Sequence, residues 1–147
     1  MKKIILLAAL LLTTFAADAQ KNEARREWLG TFSSLSLEGD MKVTLVPIEE
    51  GAQPMLIIKS EDLESSKLKY TINNKGELTV RESNNRNRTK RTEIEIHYLS
   101  LGSIKVAGSD VEVVGLIDQS IFDVEVSNGG FLKAEIDVQD VAVKANG

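Results

Sequence analysis

Val124-Glu125-Val126-Ser127-Asn128-Gly129-Gly130, set against Val141-Ala142-Val143-Lys144-Ala145-Asn146-Gly147, matches apolar, apolar and glycine positions without a gap at an offset of 17 residues. The same elements occur upstream, where Ile104 and Val106 lead into Ala107-Gly108-Ser109, and from Gly108 to Gly130 the offset is 22 residues. Between these corners lie second short strands, Val111 to Val113 and then Leu132, Ala134, Ile136 and Val138. A repeat of roughly 20 residues, with two short strands and a glycine corner, is the pattern of a solenoid, in which each rung buries its inward side chains only by stacking on its neighbours. The expected fold is all-β: a β-solenoid, a single-stranded β-helix-like stack of short strands with two facing sheets. Strands of about five residues span roughly 17 Å and facing sheets lie ~10 Å apart, so the core is a flat slab of Val, Ile and Leu.

Working outward, the period of two persists upstream. Phe32, Leu35 and Leu37, then Met41, Val43 and Leu45, then Met55 and Ile57 alternate with polar residues, as half-buried strands require. Glu38-Gly39-Asp40 reads as a tight turn, and Pro47 to Pro54 as a loop bracketed by residues that cannot join a ladder. Leu68, Tyr70 and Ile72 face Leu78 and Val80 across Asn73-Asn74-Lys75-Gly76, which predicts a hairpin. Gly39, Gly76, Gly108, Gly129, Gly130 and Gly147 are the predicted structural turns. The N-terminal half alone also permits an antiparallel sandwich with hairpin connections, so that architecture competes with the solenoid.

At the other end of the chain, Lys2 and Lys3 precede an unbroken apolar run from Ile4 to Leu12, too short to cross a bilayer. Ala17-Asp18-Ala19 supplies the small-x-small pattern of signal peptidase, which places residues 1–19 in a signal peptide cut before Gln20. Residues 20–31 form a polar leader, loose or briefly helical, that covers the first edge of a domain spanning 32–147. No second long apolar segment and no cysteine near the cut provide a membrane span or lipid anchor, so the predicted location is the periplasm, the outer-membrane surface or the exterior. The absence of cysteine excludes disulfides and thiolate metal sites. Loss of Lys2, Lys3 and Asp18 leaves 16 basic and 21 acidic residues, a net charge of −5 that disfavours nucleic acid as a partner.

The order of Phe32-x-x-Leu35-x-Leu37-x-Gly39, Met41-x-Val43-x-Leu45, a polar loop before Glu93 to Tyr98, Leu101-x-x-Ile104-x-Val106-x-Gly108-Ser109 and then Asn-Gly corners resembles the head GIN domain family of auto-transporter adhesins, found mainly in Bacteroidetes-type bacteria. The resemblance covers Phe32 to Gly147 and specifies a fold rather than a chemistry. It implies a β-helix with Gly-Ser-Gly turns and a role in adhesion or carbohydrate recognition, and it carries over no functional residue. Here the corners depart from repeated Gly-Ser-Gly, and family members continue through more rungs, so the chain reads as a truncated form whose Val141 to Val143 strand leaves an exposed edge.

Candidate sites are few. Glu93, Glu95 and His97 share one strand face, but residues two apart on a strand lie about 6 to 7 Å from each other, so a solvated face is favoured over a metal site. His97 is the sole histidine and no Gly-x-Ser-x-Gly elbow precedes a serine, which argues against a Ser-His-Asp hydrolase. Asp110, Glu112, Asp118, Asp123, Glu125, Glu135, Asp137 and Asp140 match no calcium-loop spacing and fit the polar outward positions of a solenoid. Arg86, Arg88, Lys90 and Arg91, set among asparagines, read either as a solvated run or as a grip on an anionic partner such as lipopolysaccharide phosphate. The expected function is an exported, non-catalytic adhesion or recognition module without cofactor or metal, meeting a glycan or an envelope protein, with oligomerisation available through the open C-terminal edge. The alternatives are a periplasmic structural or stress-signalling module and, third, a carbohydrate-active enzyme.

Overall fold

The structure, a computed structural model, describes residues 24–60, 68–83 and 91–147. The proposed signal peptide, the start of the leader, and Arg86, Arg88 and Lys90 lie outside the described residues. Among the described residues ten strands follow one another without a helix: β1 (Arg25–Trp28), β2 (Ser34–Glu38), β3 (Met41–Pro47), β4 (Met55–Ser60), β5 (Leu68–Ile72), β6 (Glu77–Glu82), β7 (Thr92–Tyr98), β8 (Ser103–Ala107), β9 (Asp110–Ser127) and β10 (Phe131–Asn146). They form one sheet in the order β1-β4-β7-β3-β9-β8-β2-β6-β5, with β10 added to β9, curled into an open half-barrel.

Strand β9 causes the curl. Its first residues pair with β3 on one arm, Val43 opposite Val111, and its last pair with β8 on the other arm, Ile104 opposite Val124. A long strand that serves both arms must bend, and Gly115, at a φ of 79°, sits beside a register shift in the ladder with β10. The arms therefore face one another across a single apolar cluster. Leu78, Leu35, Ile104 and Val124 follow each other across one arm, and Ile58, Ile94, Val43 and Val111 across the other.

Several expectations hold and several are corrected. The β5–β6 hairpin is present, with Tyr70 opposite Val80 and Asn73 Oδ1 accepting the Lys75 and Glu77 backbone N–H groups at 2.9 and 3.0 Å. The described part of the leader is neither loose nor helical: Arg25–Trp28 is a strand antiparallel to β4, and Leu29 behind it is buried, its N–H bonded to Pro54 O at 2.9 Å. The last third does not consist of separate five-residue strands, because each pair has merged into β9 and β10, 18 and 16 residues long. Val143, not Val141, lies opposite Val124, an offset of 19, and Ile104 opposite Val124 makes the preceding offset 20. The ungapped alignment at 17 failed because it matched Ala145-Asn146-Gly147 to a corner, and because the register shift near Gly115 takes up two extra residues of β9. Ala145 and Asn146 continue β10 opposite Val126 and Ser127, so they do not form a third corner before Gly147.

The packing predicts a gradient of mutational cost along the stack. Ile104, fully buried between neighbours on both sides, loses about 2 to 5 kcal/mol on replacement by Ala, whereas Val143, 69 % exposed on the last strand, loses under about 1 kcal/mol. Urea unfolding of the two variants checks this, and equal costs contradict the described stack.

Candidate functional site

The corners joining the two arms are stacked, and this column organises the surface. Gly39 N–H donates to Ala107 O at 3.0 Å, Gly108 N–H to Ser127 O at 3.1 Å, and Phe131 N–H to Ser109 O at 2.9 Å, while the Ser109 hydroxyl caps Gly39 O. Contact is so close that a Cβ on Gly39, whose φ is 114°, would stand 2.6 Å from Glu82 O, so the position requires glycine. Of the other predicted turn glycines, Gly76, Gly108 and Gly129 also have positive φ; Gly130 does not, but an added Cβ would lie 3.1 Å from Ser127 O and Val106 Cγ1. Asn128 at φ 55° and Gly129 at φ 72° form the turn closed by Gly130 N–H to Ser127 O, 3.0 Å.

Charged side chains brace the same column. Arg91 reaches Asp40 Oδ1 and Asp110 Oδ2, each at 2.7 Å, so its two terminal nitrogens bridge the starts of β3 and β9. This is the one member of the predicted cationic set among the described residues, and it is engaged within the protein. The Thr92 hydroxyl donates to Glu82 Oε1 at 2.5 Å beneath the corner, both residues being buried.

Beside the column, the outer face of the β6-β2-β8-β9 arm carries a groove of about 770 Å³. Its polar lining belongs to two cross-strand rows that run on beyond it on either side. Thr79, Ser36, Lys105, Glu125 and Lys144 lie successively opposite one another, as do Arg81, Glu38, Ala107, Ser127 and Asn146. Ser36, Glu38, Lys105, Glu125, Ser127 and Asn128 offer it hydroxyl, carboxylate, ammonium and amide groups, separated by the small residues Gly39, Ala107 and Gly108. Glu38 is held by Arg81 Nε at 2.7 Å. The groove can exchange hydrogen bonds with a polar ligand in both directions. Sequence reading identified Glu125 only as an outward carboxylate and missed Ser36, Lys105 and Ser127; their period-two polar positions were visible, but their convergence depends on which strands become neighbours.

The outward face of β7 behaves differently. Glu95 Oε2 accepts from Lys59 Nζ at 2.7 Å and Oε1 from His97 Nε2 at 2.6 Å, so a carboxylate there fixes the proton on Nε2. Glu93, opposite Lys42 on β3, adds a Coulombic attraction on Lys59 from the same face. Among the described residues no group of three or more His, Asp or Glu side chains could hold a metal ion, and no described helix is long and apolar enough to cross a membrane.

The Lys59 hydrogen bond, then that of His97, holds the Glu95 carboxyl below its ordinary value against partial burial. A depressed folded pKa contributes stability that is complete above the unfolded value and is lost as pH falls through the folded one. Glu95→Gln therefore costs about 0.5 to 1 kcal/mol at neutral pH, and the difference closes as pH drops below about 4. Chemical unfolding of both proteins across that range checks it; a difference independent of pH contradicts the assignment.

The family profile described as "putative auto-transporter adhesin, head GIN domain" matches residues 31–147. A crystal structure described as a putative adhesin from Parabacteroides merdae aligns with a TM-score of 0.66 at 9 % identity, covering 84 % of this chain and 52 % of that one. A putative adhesin from Bacteroides fragilis aligns at 0.54 and 13 % identity, covering 82 % and 54 %, and a putative lipid binding protein from Parabacteroides distasonis at 0.54 and 10 %, covering 82 % and 59 %. At these identities the likeness is one of fold, and the chain spans between about half and three fifths of those proteins' length. No curated protein matches the sequence. The stacked corners, the curled sheet and the match over residues 31–147 together make this chain a member of the head GIN domain family of auto-transporter adhesins.

Proposed function

We propose that the chain is an exported, non-catalytic recognition module of the cell envelope, a short β-solenoid that presents the outer face of one arm to a glycan or protein partner. The observation that carries this reading is the groove beside the corner column, where Ser36, Lys105, Glu125 and Ser127 stand on three strands locked together by parallel ladders. Polar groups held on a rigid sheet lose little freedom when they bind, which favours recognition of a repeating hydroxyl-rich or peptide surface. Export is supported by the cationic and apolar start of the sequence with its Ala17-Asp18-Ala19 cut site, and by family membership. Arg86, Arg88 and Lys90 remain candidates for contact with an anionic partner, whereas Arg91 is committed to Asp40 and Asp110.

Protease shaving of intact cells is expected to release peptides of this chain, and complete protection until the outer membrane is opened overturns surface adhesion in favour of a periplasmic interaction module. On a glycan or envelope-protein array, Lys105→Ala with Glu125→Ala is expected to weaken retained binding about tenfold or more, the scale of losing hydrogen bonds to charged groups. Unchanged binding moves the recognition surface away from the groove.

A further inference from the structure

The outer face of the arm opposite the groove carries the chain's only tryptophan, and that residue is 63 % exposed. Leu56 and Ile58 of β4 point into the core, so Met55 and Ile57 point outward, and Trp28 and Arg26 of β1, directly opposite them, share that face. Met55 lies opposite His97 of β7, and His97 opposite Val46 of β3, so Trp28, Met55, His97 and Val46 form one row across four strands. Arg26, Ile57, Glu95 and Thr44 form the row beside it. The polar members of these rows are held in place. Between Ile58 opposite Ile94 and Ser60 opposite Glu93, β4 has one residue more than β7, and this extra residue, Lys59, bonds Glu95 Oε2 at 2.7 Å. The other oxygen, Oε1, accepts from His97 Nε2 at 2.6 Å, which leaves Nδ1 of the neutral ring as an acceptor.

We infer that this face binds an uncharged glycan, one pyranose ring stacked on the Trp28 indole and the next, over Met55, donating a hydroxyl to His97 Nδ1. Three features select this occupant. The first is the mixture of groups. A pyranose presents C–H groups on its faces and hydroxyls around its rim, so it needs a rigid apolar plane beside fixed hydrogen-bonding groups. Trp28 supplies the plane with few torsions to order, and Arg26 and His97 supply a donor and an acceptor. The second is width. Arg26, Glu95 and Thr44 interrupt the row beside Trp28, and Met55 and Val46 are half-buried, whereas a protein partner or a membrane covers a broad apolar patch. The third is charge. Lys59 and His97 engage Glu95, and Glu93 stands opposite Lys42, so opposite signs meet and no single-sign field attracts an ionic ligand. Trp28 and His97 are two strand steps apart, about 10 Å, a separation that two linked rings span. The site shares no residue with the groove.

The test uses the indole as its own reporter, because all tryptophan emission from this chain comes from Trp28. Cellohexaose and laminarihexaose are titrated into the purified chain, and the emission maximum is expected to move to shorter wavelength and saturate with at least one of them. In calorimetry Trp28→Ala is expected to weaken that binding about tenfold or more, and Trp28→Phe to retain part of the affinity. The side chain is mostly exposed, so both variants keep the fold, and an unchanged unfolding midpoint verifies this. Lys105→Ala with Glu125→Ala is expected to leave the emission shift intact. No shift with either sugar overturns the inference, as does a shift given only by polygalacturonate or only by phosphatidylcholine vesicles. Sugar binding that ignores Trp28→Ala but is lost with the Lys105 and Glu125 changes also overturns it and assigns the glycan to the groove. The two sites therefore stand or fall separately.

Discussion

The close approach of backbone at the corners is the constraint on which the rest depends. Gly39, Gly108 and the Asn128-Gly129 turn bond to one another through main-chain groups, and one set of corner contacts fixes strand register on two arms together. The offsets show how tightly this is held. Ser34 opposite Ser103 gives 69 residues on one arm, and Lys42 opposite Asp110 gives 68 on the other, the single-residue difference being taken up within the corner. A slip by one residue would turn every inward Leu, Ile and Val of an arm to solvent. Arg91, bridging Asp40 and Asp110, adds an ionic brace at the same place.

The recognition surface is a by-product of the same stacking. Parallel ladders place outward residues in rows, so Ser36, Lys105, Glu125 and Lys144, distant in sequence, become neighbours on four strands. Ser36 and Lys105 are as fixed as the core beneath them, because they alternate with buried Leu35, Leu37, Ile104 and Val106 on their own strands, whereas Glu125 stands between the partly buried Val124 and Val126. The apolar row on β10 comes from the same alternation. There the inward residues have a described neighbour on one side only, and they are more exposed than their opposites on β9.

Turn chemistry by itself leaves the topology open. Asn128-Gly129 has the positive φ values of a two-residue hairpin turn, and Glu38-Gly39-Asp40 separates two alternating runs as a hairpin would. Yet β2 pairs with β6 and β8, and the first residues of β10 pair with the first residues of β9, so both turns lead across the core rather than back along the sheet. A turn sets the local change of direction; whether the next strand joins the same ladder or the opposite arm depends on which distant edge is vacant. For the same reason the repeat was legible but its period was not, since the corners and the irregularity near Gly115 give spacings of 19, 20 and 21 where an ungapped comparison expects one value.

By itself the sequence determined the all-β class, the inward residues of most strands, the β5–β6 hairpin, the glycine corners and the family, because alternation and turn residues are local properties written in consecutive letters; in the all-apolar run of β4 it took Met55 and Ile57 as inward, where Leu56 and Ile58 are the buried pair. Only the tertiary structure decided that β1 is a strand, that four short runs merge into β9 and β10, that Arg91 is spent on Asp40 and Asp110, and that Ser36, Lys105 and Glu125 share a groove. Each of those outcomes depends on pairing between residues 20 to about 70 positions apart, and no local pattern encodes which edge will be free to receive which strand.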